Sequence, residues 1–160
     1  MKIIGIDPGL VQTGYGIISI KNEKIKIVDY GIVKPNKELS LAFRLNMIFK
    51  DVCELIENYK PSVFVIEEVF YGKNVKSALK LGQARGAAMV AGASAGLLIY
   101  EYSAKKVKQS ITGSGNSKKE QVQFMVQQYL NMNSLPYPID ASDALAIALC
   151  HYQQFRMEEI

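Results

Sequence analysis

The first sixteen residues, MKIIGIDPGLVQTGYG, constrain the fold more than any other stretch of the chain. An apolar run, Ile3–Ile6, ends on a single carboxylate, Asp7, and the breaker pair Pro8–Gly9 follows at once. A second β-like run begins at Gly14. The pattern predicts a buried strand, a tight turn and a return strand, with one acid at the mouth of the first strand. Asp before Pro-Gly is also a common turn opener, so this stretch alone leaves a purely structural role open.

The composition predicts one globular domain spanning residues 1–160. The chain is 49% hydrophobic and 21% charged, with a mean hydropathy of +0.04. Its formal net charge is +4 and its isoelectric point is about 9.0. This mild basicity allows an acidic partner such as nucleic acid without requiring one.

Cysteine usage and the lack of long apolar runs predict a cytoplasmic protein. Cys53 and Cys150 show no CxxC spacing and are expected to be reduced structural thiols. Asp7 interrupts what would have to be the apolar region of a signal peptide. The longest uncharged stretch, Gly86–Tyr100, is shorter than a membrane-spanning helix requires.

Hydrophobic periodicity predicts an α/β fold whose mixed sheet combines an antiparallel meander with parallel strands. Alternating or continuous apolar runs indicate strands, and apolar spacings of three and four indicate helices. The predicted strands are Ile3–Ile6, Gly14–Ile20, Lys24–Val33, Ser62–Ile66 and Leu97–Tyr100. The predicted helices are Glu38–Tyr59, Ser77–Ala95, Ser117–Leu130 and a last helix starting at Asp140, while Thr112–Asn116 is predicted to be a flexible turn.

The helix Ser77–Ala95 is unusually rich in Gly and Ala. Each Gly within a helix costs about 1 kcal/mol relative to Ala, so such a helix suits a place where another backbone comes very close. Two interpretations stay open: the helix packs on the sheet of its own chain, or it packs on a second copy.

Four acids stand at predicted strand and helix ends. Asp7 and Glu67 each close an apolar strand, and parallel pairing brings strand carboxyl ends to one edge of a sheet. Alternation puts Glu67 and Glu68 on opposite faces, and we expect Glu67 to join Asp7. Asp140 and Asp143 have i, i+3 spacing and project from one side of a first helical turn. Asp140 also suits an N-cap, so helix capping is the alternative role for that pair.

Carboxylates gathered in one cleft repel each other unless a cation lies among them. Oxygen ligands without Cys or a nearby His favour Mg²⁺ or Mn²⁺ over zinc. Two such ions about 4 Å apart can activate a water and stabilise the leaving oxygen of a phosphodiester. We expect His151, about two turns beyond Asp143, to lie near a helix end rather than to bind metal.

Several segments in order along the chain resemble the bacterial RuvC family of Holliday junction resolvases. They are GIDPG with TGYG, IEEVFYGKN, SALKLGQARG, VKQ and DASDALAIALCH, and they extend from Ile3 to about Tyr152. GIDPG alone is weak evidence, whereas LGQARG and DASDALAIA in this order are highly specific.

The resemblance implies an RNase H-like fold, with a five-stranded mixed sheet flanked by helices. It implies that Asp7, Glu67, Asp140 and Asp143 bind Mg²⁺, with Mn²⁺ as a substitute and two ions per subunit during catalysis. The implied enzyme is a homodimer, joined through Ser77–Ala95. It would nick a four-way DNA junction symmetrically with metal-activated water, leave 5′-phosphate ends, and cooperate with the RuvA–RuvB branch-migration complex.

The resemblance also assigns roles to basic and aromatic residues. Lys108 and Lys119 match lysines that the family needs for cleavage, and we interpret them as neutralising phosphate charge. Lys105, Lys106 and Lys118 are further candidate DNA contacts, with ordinary solvated charges as the alternative. Phe70 matches an aromatic that stacks on junction bases, and Tyr71 could share that role. Without the resemblance, Phe70 would be assigned to the core.

Two departures from the family and two alternative functions remain. Many members have Gln at the position of Glu68, and the chain ends at MEEI without the basic tail of some relatives. One alternative is a junction-binding module that does not cleave, although such a protein could lose an acid and this chain has all four. The other is a nucleotide-binding lobe of an actin or sugar-kinase type, which requires two lobes where 160 residues supply one.

Overall fold

The computed structural model describes residues 1–69 and 72–158. Within them, strands β1 (Lys2–Asp7), β2 (Thr13–Lys21), β3 (Lys24–Val33), β4 (Val63–Glu67) and β5 (Leu98–Tyr102) form one sheet in the order β3-β2-β1-β4-β5. The pairs β1–β2 and β2–β3 are antiparallel, and β1–β4 and β4–β5 are parallel. The predicted mixed sheet is therefore confirmed.

The alternation of apolar side chains along each strand gives the sheet a core on both faces. Ile3 and Val65 pack on one face with the helices α3 (Ala104–Thr112), α4 (Lys119–Tyr129) and α5 (Ile139–Glu158). Ile4 and Phe64 pack on the other face with α1 (Leu41–Tyr59) and α2 (Val75–Ser94). Because Asp7 and Glu67 follow the parity of Ile3 and Val65, both acids face the side covered by α5.

Three glycines allow α5 to lie directly on the sheet. A Cβ atom at Gly16 would lie 2.7 Å from the backbone nitrogen of Leu145. One at Gly14 would collide with the carbonyl oxygen of Asp140, and one at Gly5 with that of Ala144. Glycine at these strand positions therefore sets the depth at which the first turns of α5 sit.

Helix α2 uses its small residues on two faces. Ala84, Ala88, Ala91 and Gly92 are buried on the sheet of their own chain, as the first interpretation of this helix required. Gly82 and Gly86 point elsewhere, since a Cβ atom on either would meet nothing within 4 Å. The small residues on that second face are not explained by packing within the described chain.

Three helical features differ from the predictions. Helix α3 was not predicted, because its lysines mask a short apolar stripe, Val107 and Ile111, that is buried. Helix α5 begins at Ile139, so Asp140 lies within its first turn and is not the N-cap. His151 is only 3% exposed and lies well inside a helix that continues to Glu158, so its predicted helix-end position is wrong.

Among the described helices, none is both long and apolar enough to cross a membrane.

Candidate active site

The ends of two parallel strands and the start of α5 meet at one cavity. β1 and β4 pair with Ile6 opposite Ile66, which brings the next residues, Asp7 and Glu67, to the same edge of the sheet. Both acids line a cavity of about 140 Å³ together with Asp143. Apolar walls come from Val107, Val122 and Ala146, with Ala104 nearby.

Three of the carboxylates form a tight cluster. One oxygen from each of Asp7, Asp140 and Asp143 lies within 4.8 Å of the other two. Glu67 lines the same cavity but is not part of this mutually close group. The i, i+3 spacing on α5 and the glycine at position 14 explain why Asp140 and Asp143 both reach Asp7.

Burial and repulsion between carboxylates shift the pKa values of Asp7, Glu67 and Asp143 upward. Burial, with added repulsion from Glu67, Asp143 and Asp140, raises the pKa of Asp7 to about 8, although Lys119 opposes the shift. Burial also raises the pKa of Glu67 and of Asp143. A divalent cation would relieve this repulsion, and an all-oxygen donor set suits Mg²⁺ or Mn²⁺. The residues present therefore fit a metal site.

Two lysines border the acids from α3 and α4. The Lys119 ammonium donates to Oδ2 of Asp143 at 3.1 Å, although its side chain is 61% exposed. Burial opposes the charge on Lys119, but the hydrogen bond to Asp143 and the charges of Asp143, Asp7 and Asp140 together outweigh burial and raise the pKa of Lys119. Lys108 lines the cavity, and its charge partly offsets the rise in the pKa of both Glu67 and Asp143. Both lysines are thus positioned to meet an anion entering the cavity.

The other predicted DNA contacts lie elsewhere or outside the described residues. Lys105, Lys106 and Lys118 are exposed and do not line the cavity. Phe70 and Tyr71 lie outside the described residues, so their predicted stacking role stays a prediction.

Two residues at the site were missed by the sequence analysis. Gln12, in the loop between β1 and β2, donates its side-chain amide to Oδ2 of Asp140. Arg85, on α2, donates through Nε to the backbone oxygen of Glu67 at 2.9 Å and pairs with Glu101. Arg85 lies in the LGQARG segment that carries the family resemblance, which was a usable signal, whereas nothing local marked Gln12.

A mixed sheet in this order, with carboxylates at the mouths of β1 and β4 and on the helix above them, defines the RNase H-like class of nucleases. The family model for crossover junction endodeoxyribonuclease RuvC matches residues 3–151. The chain therefore belongs to the RuvC family of crossover junction endodeoxyribonucleases. The predicted family, fold and enzyme class are confirmed.

Individual relatives agree along almost the whole chain. The RuvC protein of Geobacter metallireducens is 48% identical over 160 residues, which cover 100% of this chain and 97% of that protein. The structure of Thermus thermophilus RuvC gives a TM-score of 0.90 at 34% identity, covering 99% of this chain and 97% of that chain. T. thermophilus RuvC in complex with a Holliday junction substrate gives a TM-score of 0.92 at 34% identity, covering 99% of this chain and 96% of that chain.

Proposed function

We propose that this protein resolves four-way DNA junctions by paired, symmetric nicks during recombination and repair. The cavity at the mouths of β1 and β4, which combines clustered carboxylates with two lysines, is the observation that carries the proposal. The T. thermophilus relative, solved with a Holliday junction substrate, supports the choice of DNA structure. Residues 1–160 are proposed to form a single RNase H-like nuclease domain that acts in the cytoplasm.

The proposed metal ligands are Asp7, Asp140 and Asp143, with Glu67 completing the site. We propose Mg²⁺ as the physiological ion, with Mn²⁺ as a substitute and two ions per subunit during catalysis. When bound, the metal would supply positive charge to the scissile phosphate and lower the pKa of a water molecule.

The chain's own groups prepare the cavity for a phosphodiester. Lys108 and Lys119 would neutralise charge that develops on the phosphate, and such preorganised donors typically contribute 10²–10³-fold in rate. The apolar side chains of Val107 and Val122 limit water on one wall, which strengthens these electrostatic interactions. Cleavage is proposed to leave 5′-phosphate ends.

The proposed active form is a homodimer joined through α2. Val75 and Leu79, each 65% exposed, share one helical face with Gly82 and Gly86. Exposed apolar side chains beside glycines suit the close approach of a second helix. A two-fold dimer would place two identical cavities on the two symmetry-related strands of a junction. The RuvA–RuvB complex is a further proposed partner, testable by co-purification with the junction-bound protein.

The direct test compares cleavage of a synthetic four-way junction with cleavage of a linear duplex of the same sequence. With Mg²⁺, the wild-type protein should nick the junction in symmetric pairs and leave the duplex largely intact. Asp7→Asn should bind the junction without cutting it. Equal cutting of both substrates would contradict a resolvase. Junction binding without cleavage by wild-type protein would instead favour a non-cleaving binding module.

A further inference from the structure

The loop between β1 and β2 reaches across the site to a residue far away in the chain. At the end of this loop, directly before β2, the side-chain Nε2 of Gln12 donates a hydrogen bond to Oδ2 of Asp140, 128 residues further along. Gln12 is half-buried, whereas its neighbour Val11 is 68% exposed. Among the hydrogen bonds of the described residues, this is the one that ties the Asp140 carboxylate to the loop.

The loop that carries Gln12 is held by three hydrogen bonds, two with the hydroxyl of Thr13 and one from Arg44. Thr13 is fully buried, and its hydroxyl donates to the backbone oxygen of Gly9 at 2.8 Å and accepts from the Gly9 N–H at 3.2 Å. Arg44, on α1, donates through Nη2 to the backbone oxygen of Leu10 at 2.8 Å. A Cβ atom at Gly9 would collide with the carbonyl oxygen of Gln12, so the loop is also tight. These contacts fix the backbone position of Gln12, and therefore the position from which its side-chain amide contacts Asp140.

We propose that Gln12 is a positioning residue that orients the Asp140 carboxylate for metal binding. The inference rests on the proposed function, in which Asp140 is a ligand. An amide hydrogen bond to one carboxylate oxygen leaves the other oxygen available and restricts rotation of the group. The amide is neutral, so it does not oppose an incoming cation, in contrast to the Lys119 ammonium on Asp143. The Asp140 carboxylate is therefore oriented for metal binding before the metal ion binds.

The test measures Mn²⁺ binding to the DNA-free protein by calorimetry. Gln12→Met keeps the length of the side chain and removes the donor. Loss of such a supporting hydrogen bond typically weakens metal affinity 10–100-fold, and we expect about tenfold here. Gln12→Ala should give a similar loss and guards against an effect of the methionine itself. Val11→Ala is the matched control and should bind Mn²⁺ as the wild type does.

Two further measurements separate positioning from general damage to the loop. Metal-free unfolding temperature and junction affinity without metal should be the same for Gln12→Met and wild type. In an Asp140→Ala background, Gln12→Met should have no further effect on Mn²⁺ affinity, because the group it orients is gone. An equal loss in that background would overturn the inference.

Comparing Gln12→Met with Asp7→Asn separates an error about Gln12 from an error about the metal site itself. Wild-type Mn²⁺ affinity in Gln12→Met, alongside strongly reduced affinity in Asp7→Asn, would overturn the role of Gln12 alone. If Asp7→Asn bound Mn²⁺ as tightly as wild type, the metal site would be wrong, and the inference with it.

Discussion

Burial and neighbouring carboxylates oppose ionisation of Asp7 in the folded chain. Its pKa is about 8 in the folded, metal-free chain and has the ordinary value of 3.8 when exposed. Between these values the folded state binds the proton and the unfolded state does not, so stability falls as pH rises. One group contributes a slope of at most about 1.4 kcal/mol per pH unit.

This predicts a pH dependence that can be isolated by substitution. In EDTA, the unfolding free energy of wild type relative to Asp7→Asn should be highest near pH 4 and fall until about pH 8. Urea titrations of both proteins across this range measure the difference. Adding Mg²⁺ should flatten the fall, because the ion replaces the proton. Parallel curves for the two proteins in EDTA would contradict the assigned environment of Asp7.

Lys119 is predicted to have opposite effects on metal binding and on cleavage. Its ammonium contacts Asp143 at 3.1 Å, where it competes with a cation for the carboxylate. Lys119→Met should therefore bind Mn²⁺ a few-fold more tightly while cleaving junctions about 10²-fold more slowly. Calorimetry and single-turnover cleavage measure the two effects. Lys50→Met, which changes an exposed lysine on α1 across the sheet, should alter neither. A joint fall of metal affinity and rate would instead mean that Lys119 supports the acids.

At the scale of elements, the glycines beneath α5 determine whether the acids can meet. A methyl group at Gly14 would collide with the backbone of Asp140, so Gly14→Ala must lift the first turn of α5. We expect a loss of about 1–3 kcal/mol in stability together with weaker Mn²⁺ binding. Gly31→Ala is the matched control, since the atoms nearest to its methyl group would belong to the side chain of Tyr15 and not to a backbone. Chemical unfolding and metal titration of both variants provide the measurement, and unchanged metal affinity in Gly14→Ala would show that the helix can shift without harm.

The helices and strands differ in how well their boundaries could be predicted from local sequence. β1 and β4 are short apolar runs that each end on an acid, so their boundaries and faces follow from local pattern alone. Helix α3 was missed because its apolar stripe is only two residues long, although Ser103 at its N-cap was a usable signal. The predicted start of α5 was one residue late because Asp140 is a good cap by residue type. In the structure the backbone oxygen of Pro138 already accepts from the N–H groups of Ala141 and Ser142, so the helix begins at Ile139.

For the whole molecule, the site depends on contacts that no local pattern encodes. The meeting of Asp7 with Glu67 requires the parallel register of β1 and β4. The meeting of Asp7 with Asp143 requires the close seating of α5 on the sheet, which spacing along the chain does not predict. The contact between Gln12 and Asp140 is even harder to predict, since an isolated glutamine in a loop has no characteristic sequence pattern. Strand ends and helical spacing predicted which acids would pair, the family resemblance implied that all four bind metal together, and the structure shows the packing that brings Asp7, Asp140 and Asp143 within reach of one another.

At the scale of the whole molecule, the exposed apolar face of α2 predicts that two copies of the chain form a dimer. Leu79 is 65% exposed beside the open surface at Gly82, so Leu79→Arg would put a charge where a second copy of α2 is proposed to pack. The wild type should sediment as a dimer at micromolar concentration and Leu79→Arg as a folded monomer. Phe43→Arg is the control, because Phe43 is 63% exposed on α1, and it should remain dimeric. The monomer should retain Mn²⁺ binding, since each cavity is built within one chain, but should lose paired nicking of the junction. A wild-type monomer would contradict the proposed dimer, whereas a dimer unaffected by Leu79→Arg would place the interface elsewhere.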